Sequence, residues 1–98
     1  MGFRTRQIHS GVTPDPTTGS ILTPIYQSTT YVQPSVDEYL SKGFTYARSG
    51  NPTVKVLEDK ITDLEGGAGC ACFGTGMSAI LAAMLAFLEA GKHVVISD

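Results

Sequence analysis

Tyr46 and Arg48 put a phenol and a guanidinium two positions apart, inside the block Tyr46-Ala47-Arg48-Ser49-Gly50-Asn51-Pro52-Thr53. In an extended segment, side chains at i and i+2 project to one side, so the pair would offer a hydroxyl donor and a planar fork of N–H donors to one oxyanion, such as a phosphate. The plainer alternative for two such residues in a loop is a solvated or packing pair. A second anion signal lies downstream, in Gly69-Cys70-Ala71-Cys72-Phe73-Gly74-Thr75-Gly76-Met77-Ser78-Ala79, which reads as strand, glycine turn and helix. Such a turn lets backbone N–H groups approach an anion, and the following helix presents its unpaired N-terminal donors and positive dipole end. Thr75 and Ser78 add hydroxyls. The same stretch also fits the dinucleotide pattern G-x-G-x-x-A through Gly74, Gly76 and Ala79, with Asp98 closing the next strand where a ribose partner would sit.

The elements that must position these groups divide the chain near residue 51. The first part is punctuated by Pro14, Pro16, Gly19, Pro24 and Pro34 into turns and short extended pieces, and needs a surface to lie on. In the second part Asn51 reads as an N-cap and Pro52 suits the first helical position. The pattern predicts helix over Thr53 to Glu65, strand over Gly69 to Phe73, helix over Met77 to Glu89 and strand over His93 to Ser97. On the first helix Val54, Leu57, Ile61 and Leu64 recur at helical spacing, and Gly66-Gly67 ends it in the left-handed conformation glycine tolerates. Lys55 and Lys60 with Glu58, Asp59, Asp63 and Glu65 read as a solvated face, while Lys42 and Lys92 fall in turns. On the second helix Met77, Ile80, Leu81, Met84, Leu85 and Leu88 form a stripe expected to pack on a sheet, with Met77 and Met84 as core side chains. The short turn Ala90-Gly91-Lys92 before an apolar strand implies a parallel, right-handed crossover, hence an α/β class.

A net charge of -2 over 98 residues leaves no basic footprint for nucleic acid, and 42% hydrophobic residues argue against disorder. The longest apolar stretch, Ile80 to Leu88, is too short for a bilayer. The start lacks the apolar core of a secretory signal, and Gly2 lacks the hydroxyl residue a lipidation site needs, so a cytoplasmic setting fits. Cys70 and Cys72 alternate with Ala71 and have no second ligand pair at zinc-type spacing, so buried free thiols are expected and no metal site. His9 and His93 have no partner at a readable spacing and read as structural.

Several segments together resemble the trans-sulfuration family of pyridoxal 5'-phosphate (PLP) enzymes, which includes cystathionine γ-synthase, cystathionine γ-lyase, cystathionine β-lyase and methionine γ-lyase. They are Ile8-His9-Ser10-Gly11, Thr23-Pro24-Ile25-Tyr26-Gln27-Ser28-Thr29-Thr30-Tyr31, Tyr46 to Thr53, Leu64-Glu65-Gly66-Gly67 and Thr75-Gly76-Met77. Ala47 and Thr75 each stand where the family commonly has serine, and neither change removes a needed group.

The resemblance implies the N-terminal part of an aminotransferase-like (fold type I) α/β large domain. Residues 1–51 would form an extended N-terminal arm over the partner subunit, and 52–98 the incomplete start of the PLP-binding domain. It implies that Gly76 and Met77 give backbone donors to the PLP phosphate with Thr75 nearby, and that Tyr46 and Arg48 reach that phosphate from the neighbouring subunit. Tyr46 is also a candidate substrate contact. A homotetramer built from active-site-sharing dimers is implied, acting on a sulfur amino acid by γ-elimination or γ-replacement. The lysine and the acid that PLP chemistry requires lie beyond the matched region, so no lysine here takes the Schiff-base role. Two other classes stay open: an NAD(P)-dependent oxidoreductase using Gly74, Gly76 and Asp98, and a non-catalytic fragment.

Overall fold

Asn51 and Pro52 start the longest helix as their chemistry dictates. A computed structural model describes residues 1–41 and 43–98 of the chain. Its four helices are α1 (Phe3–His9), α2 (Val36–Ser41), α3 (Pro52–Glu65) and α4 (Gly76–Phe87). Lys42, expected in a turn, lies outside the described residues.

Before α3, Asn51 is extended and its side chain accepts the Thr53 N–H at 2.8 Å, satisfying one of the donors a helix start leaves unpaired. At the other end Gly66 turns left-handed at φ 63°, and its N–H reaches back to the Thr62 and Asp63 carbonyls, where any side chain would cost roughly 1–2 kcal/mol. The second long helix begins one residue before the expected Met77 and stops two before the expected Glu89. The turn expected after it is present: Lys92 N–H closes onto the Glu89 carbonyl at 3.0 Å, with Gly91 at φ 91°.

Two helices stand where only turns and extended pieces were expected. The run Phe3 to His9 holds no glycine or proline, so α1 is free to form ahead of the first breaker at Gly11. α2 follows Ser35, whose hydroxyl accepts the Glu38 N–H at 3.1 Å, and carries Asp37 and Glu38 at its positive end.

The strands expected over 69–73 and 93–97 carry no ladder. A strand exists only through its neighbour's backbone groups, and the one pairing among the described residues is an antiparallel bridge between Thr30 and Tyr46. Instead, the Cys72 N–H donates to the Glu58 carboxylate at 2.9 Å. With no sheet beneath it, the α4 stripe is open to solvent: Met77 is 72% exposed and Leu85 72%, and no apolar side chain among the described residues is buried. The two methionines read as core therefore have no core here, Met84 being half-covered. The radius of gyration, 17.2 Å, exceeds the roughly 13 Å of a compact domain of this length.

The mixed-charge face of α3 is also not simply solvated, for it seats α1, and these are the only two helices in contact among the described residues. Arg6 Nε lies 2.9 Å from Asp63 Oδ2, Arg6 also donates to the Asp63 carbonyl, and the Ser10 hydroxyl donates to the same carboxylate. Lys60 Nζ caps the Ile8 carbonyl at 3.0 Å. The Ser10 hydroxyl first, and the Arg6 guanidinium second, hold the Asp63 carboxyl below its ordinary value. A lowered folded value means the contribution is whole above the unfolded pKa, about 3.9, and is lost as pH falls through the folded one. The protection of α1 amides, exchange taken relative to the unstructured rate at each pH, is therefore expected to stay level between about pH 7 and 5 and to fall only below about pH 4. Asp63→Asn should show fast α1 exchange throughout; an onset near pH 6 in the wild type would contradict this.

Candidate functional site

Tyr46 and Arg48 do converge, though by a turn and not by extension. The Ser49 and Gly50 N–H groups both donate to the Tyr46 carbonyl, at 2.9 and 3.0 Å, curling residues 46–50 back on themselves. Arg48 Nη2 then donates to Tyr46 Oη at 2.8 Å, and its Cζ sits 5.0 Å from the ring centroid, within cation–π range. Because the phenol oxygen accepts from Arg48, its own O–H stays available and is polarised toward donation, while the guanidinium keeps further N–H groups. The pair presents a composite donor suited to an oxyanion.

Two attachments fix this turn. On one side Tyr31 N–H donates to the Thr45 carbonyl at 3.2 Å and Ala47 N–H to the Thr29 carbonyl at 2.8 Å. On the other, Asn51 Nδ2 donates to the Tyr26 carbonyl at 2.9 Å, and Tyr26 N–H donates to Thr53 Oγ1 at 2.8 Å. The two contacts of Tyr26 with Asn51 and Thr53 span 25 and 27 residues, and no periodicity announces them.

The second group of candidates, Thr75, Gly76 and Met77, forms the N-terminus of α4. Thr75 is its N-cap and Ser78 completes a reciprocal capping box: Ser78 N–H donates to Thr75 Oγ1 at 3.1 Å, and Thr75 N–H to Ser78 Oγ at 3.3 Å. The two hydroxyls expected to face an anion thus serve the helix start; the Thr-x-x-Ser spacing was the signal for it. The Gly76 and Met77 N–H groups, in contrast, have no partner among the described residues, and nothing lies within 4 Å of where a Gly76 side chain would project. They are free donors with an open approach.

A cleft of about 570 Å³ lies between the 43–51 segment, Val54 and Glu58 of α3, and Cys72 and Gly74, so Arg48 and Gly74 line one opening. Cys70 and Cys72 are free, as expected, but Cys72 is exposed and Cys70 half-covered, since no flanking strand covers them. Partial desolvation, then Cys70 and the Glu58 carboxylate, push the Cys72 thiol above its ordinary value, so it is no activated nucleophile. Among the described residues no three His, Cys, Asp or Glu side chains are grouped to hold a metal ion, and no helix is long and apolar enough to cross a membrane.

The arrangement superimposes on the crystal structure of metB from Corynebacterium glutamicum with a TM-score of 0.85 and 43% identity, over 95% of this chain and 24% of that one. The chain thus shares the fold of the matching quarter of that protein. The family model for the Cys/Met metabolism PLP-dependent enzymes matches residues 4–98, and the chain belongs to that family. It is 47% identical over 97 residues to cystathionine gamma-synthase of Mycobacterium tuberculosis, covering 99% of this chain and 25% of the relative. To cystathionine gamma-lyase of Bacillus subtilis it is 43% identical over 98 residues, covering 100% and 25%. The chain thus spans about a quarter of the length of these relatives.

PLP is the family's cofactor, which displaces the dinucleotide reading of Gly74 and Gly76. The donors present fit its phosphate: unpaired amides at a helix start, where an anion is favoured, and a hydroxyl–guanidinium pair with spare N–H groups.

Proposed function

We propose that the complete protein is a PLP-dependent enzyme acting on a sulfur amino acid by γ-elimination or γ-replacement, of the cystathionine γ-lyase or γ-synthase type. The Tyr46–Arg48 contact carries this reading, because it forms a preorganised oxyanion donor in a chain of this family. Tyr46 and Arg48 hold the phosphate from one subunit, and the Gly76 and Met77 amides hold it from the other, with Thr75 fixing the helix that presents them. When bound, PLP supplies an electron sink for the substrate's amino acid carbons. This chain's residues anchor and orient it, and Tyr46 also contacts the substrate.

Residues 52–98 begin a fold type I α/β large domain in which 69–73 and 93–97 gain ladders from strands outside this chain. Residues 1–51 run as an arm toward the partner subunit, within a homotetramer of active-site-sharing dimers in the cytoplasm. The Schiff-base lysine and the acid at the ring nitrogen lie outside these residues. Cystathionine β-lyase and methionine γ-lyase chemistry would use the same anchor.

The purified complete protein is expected to show a visible absorbance band that borohydride abolishes, as a lysine-bound PLP requires. Cystathionine as substrate then separates the reactions: cysteine and 2-oxobutanoate mark γ-elimination, homocysteine and pyruvate β-elimination. No band even after added PLP would sink the reading.

A further inference from the structure

Asn51 and Thr53 make more hydrogen bonds than a helix start needs. Capping α3 requires only Asn51 Oδ1 on the Thr53 N–H. Asn51 Nδ2 additionally donates to the Tyr26 carbonyl at 2.9 Å, and Thr53 Oγ1 accepts the Tyr26 N–H at 2.8 Å while lying 3.2 Å from the Pro24 carbonyl, to which it donates. Each side chain therefore uses both a donor and an acceptor, and both residues are half-buried. The result is a strap. Residues 24–26 are tied to 51–53, residues 29–31 are tied to 45–47, and the Tyr46–Gly50 turn lies between the two attachments.

We propose that Asn51 and Thr53 are positioning residues for phosphate anchoring: through the strap 24–31 they hold the 46–50 turn in the conformation that points Tyr46 and Arg48 at one anion. This role rests on the reading that those two side chains hold the PLP phosphate. The physical need is plain. A guanidinium at the exposed tip of a five-residue turn loses donor alignment if the turn rocks, and among the described residues the Arg48 side chain hydrogen-bonds only Tyr46.

Asparagine and aspartate cap helices equally well, so Asn51→Asp keeps the α3 cap and replaces the donor to Tyr26 with an acceptor facing a carbonyl. In the complete protein, PLP titrated into the apo form should bind Asn51→Asp about tenfold more weakly than wild type. Thr53→Val should lose a similar factor, and Thr53→Ser, which keeps the hydroxyl, should restore it. The decisive comparison repeats Asn51→Asp in a Tyr46→Phe/Arg48→Ala background, where the added negative charge is unchanged but nothing remains to be positioned. There the Asn51→Asp loss should largely vanish, since coupled residues are non-additive. An equal loss in both backgrounds would reduce the pair to a general fold role and overturn the proposal. No loss from Asn51→Asp or Thr53→Val, with Arg48→Ala still harmful, would overturn it and leave the anchoring reading standing. If Arg48→Ala itself left PLP affinity unchanged, the anchoring reading would fall and this role with it.

Discussion

Replacing Arg48 with alanine in the complete protein is expected to weaken PLP retention by roughly ten- to 150-fold, the equivalent of losing a charge-assisted hydrogen bond worth about 1.5–3 kcal/mol. Two effects add. The guanidinium's own donors disappear, and Tyr46 loses the partner that turns its phenol toward the same place, at 2.8 Å. Arg48→Lys is not a rescue: an ammonium supplies charge without a planar fork, and loses the stacked contact over the tyrosine ring. Tyr46→Phe should cost less than Arg48→Ala, because it removes one neutral donor and leaves the charge. Equilibrium dialysis of PLP against the apo forms gives the order directly. If lysine restored full affinity, the anchor would be a point charge and the geometric argument would fail. Mixing Arg48→Ala subunits with subunits altered at Gly76 tests the shared site: sites formed from one intact half of each would regain cofactor only if the anchor crosses the interface.

Much of α3 and α4 was legible because their signals are local. Asn51-Pro52 and Gly66 act through their own backbone neighbours, and an apolar residue every third or fourth position needs no information from elsewhere. The convergence of Tyr46 and Arg48 was legible too, but through the wrong geometry. Extension was expected, whereas the Tyr46 carbonyl captures two N–H groups and makes a turn. What could not be read is what depends on distant partners. Arg6 and Asp63 are 57 positions apart, and a charged helix face gives no sign of whether water or an arm covers it. The strands over 69–73 and 93–97 have the right composition, yet composition supplies no hydrogen-bond partner; what the sequence encodes there is a preference that only neighbouring strands can realise. The capping box at Thr75 and Ser78 is different: it was local and readable, and was overlooked because hydroxyls beside a glycine turn suggest a ligand first.

Gly11→Ala is expected to release α1 from α3, raising amide exchange across residues 6–12 roughly five- to 150-fold for a strain of about 1–3 kcal/mol. Gly11 sits at φ 71°, and a Cβ there would stand 2.8 Å from the Val56 carbonyl oxygen and 3.2 Å from both Asp59 Cβ and Lys60 N. Those are atoms of a helix interior, which cannot yield as a flexible side chain would. The contacts that depend on this approach, Arg6 and Ser10 on Asp63 and Lys60 on the Ile8 carbonyl, would open together. Gly19 separates the two causes. Its φ is 73°, but nothing lies within 4 Å of the added atom, so Gly19→Ala carries the conformational strain without the collision. Equal effects on α1 exchange from both substitutions would mean that close packing of the arm against α3 is not what seats it. In the complete protein the same variant bears on assembly. If residues 1–51 reach a partner subunit as proposed, they must leave their own subunit along a fixed line, and α1 seated on α3 would set that line. Sedimentation of Gly11→Ala should therefore show a larger fraction of dissociated subunits than Gly19→Ala at equal concentration, and unchanged assembly would confine the role of α1 to its own subunit.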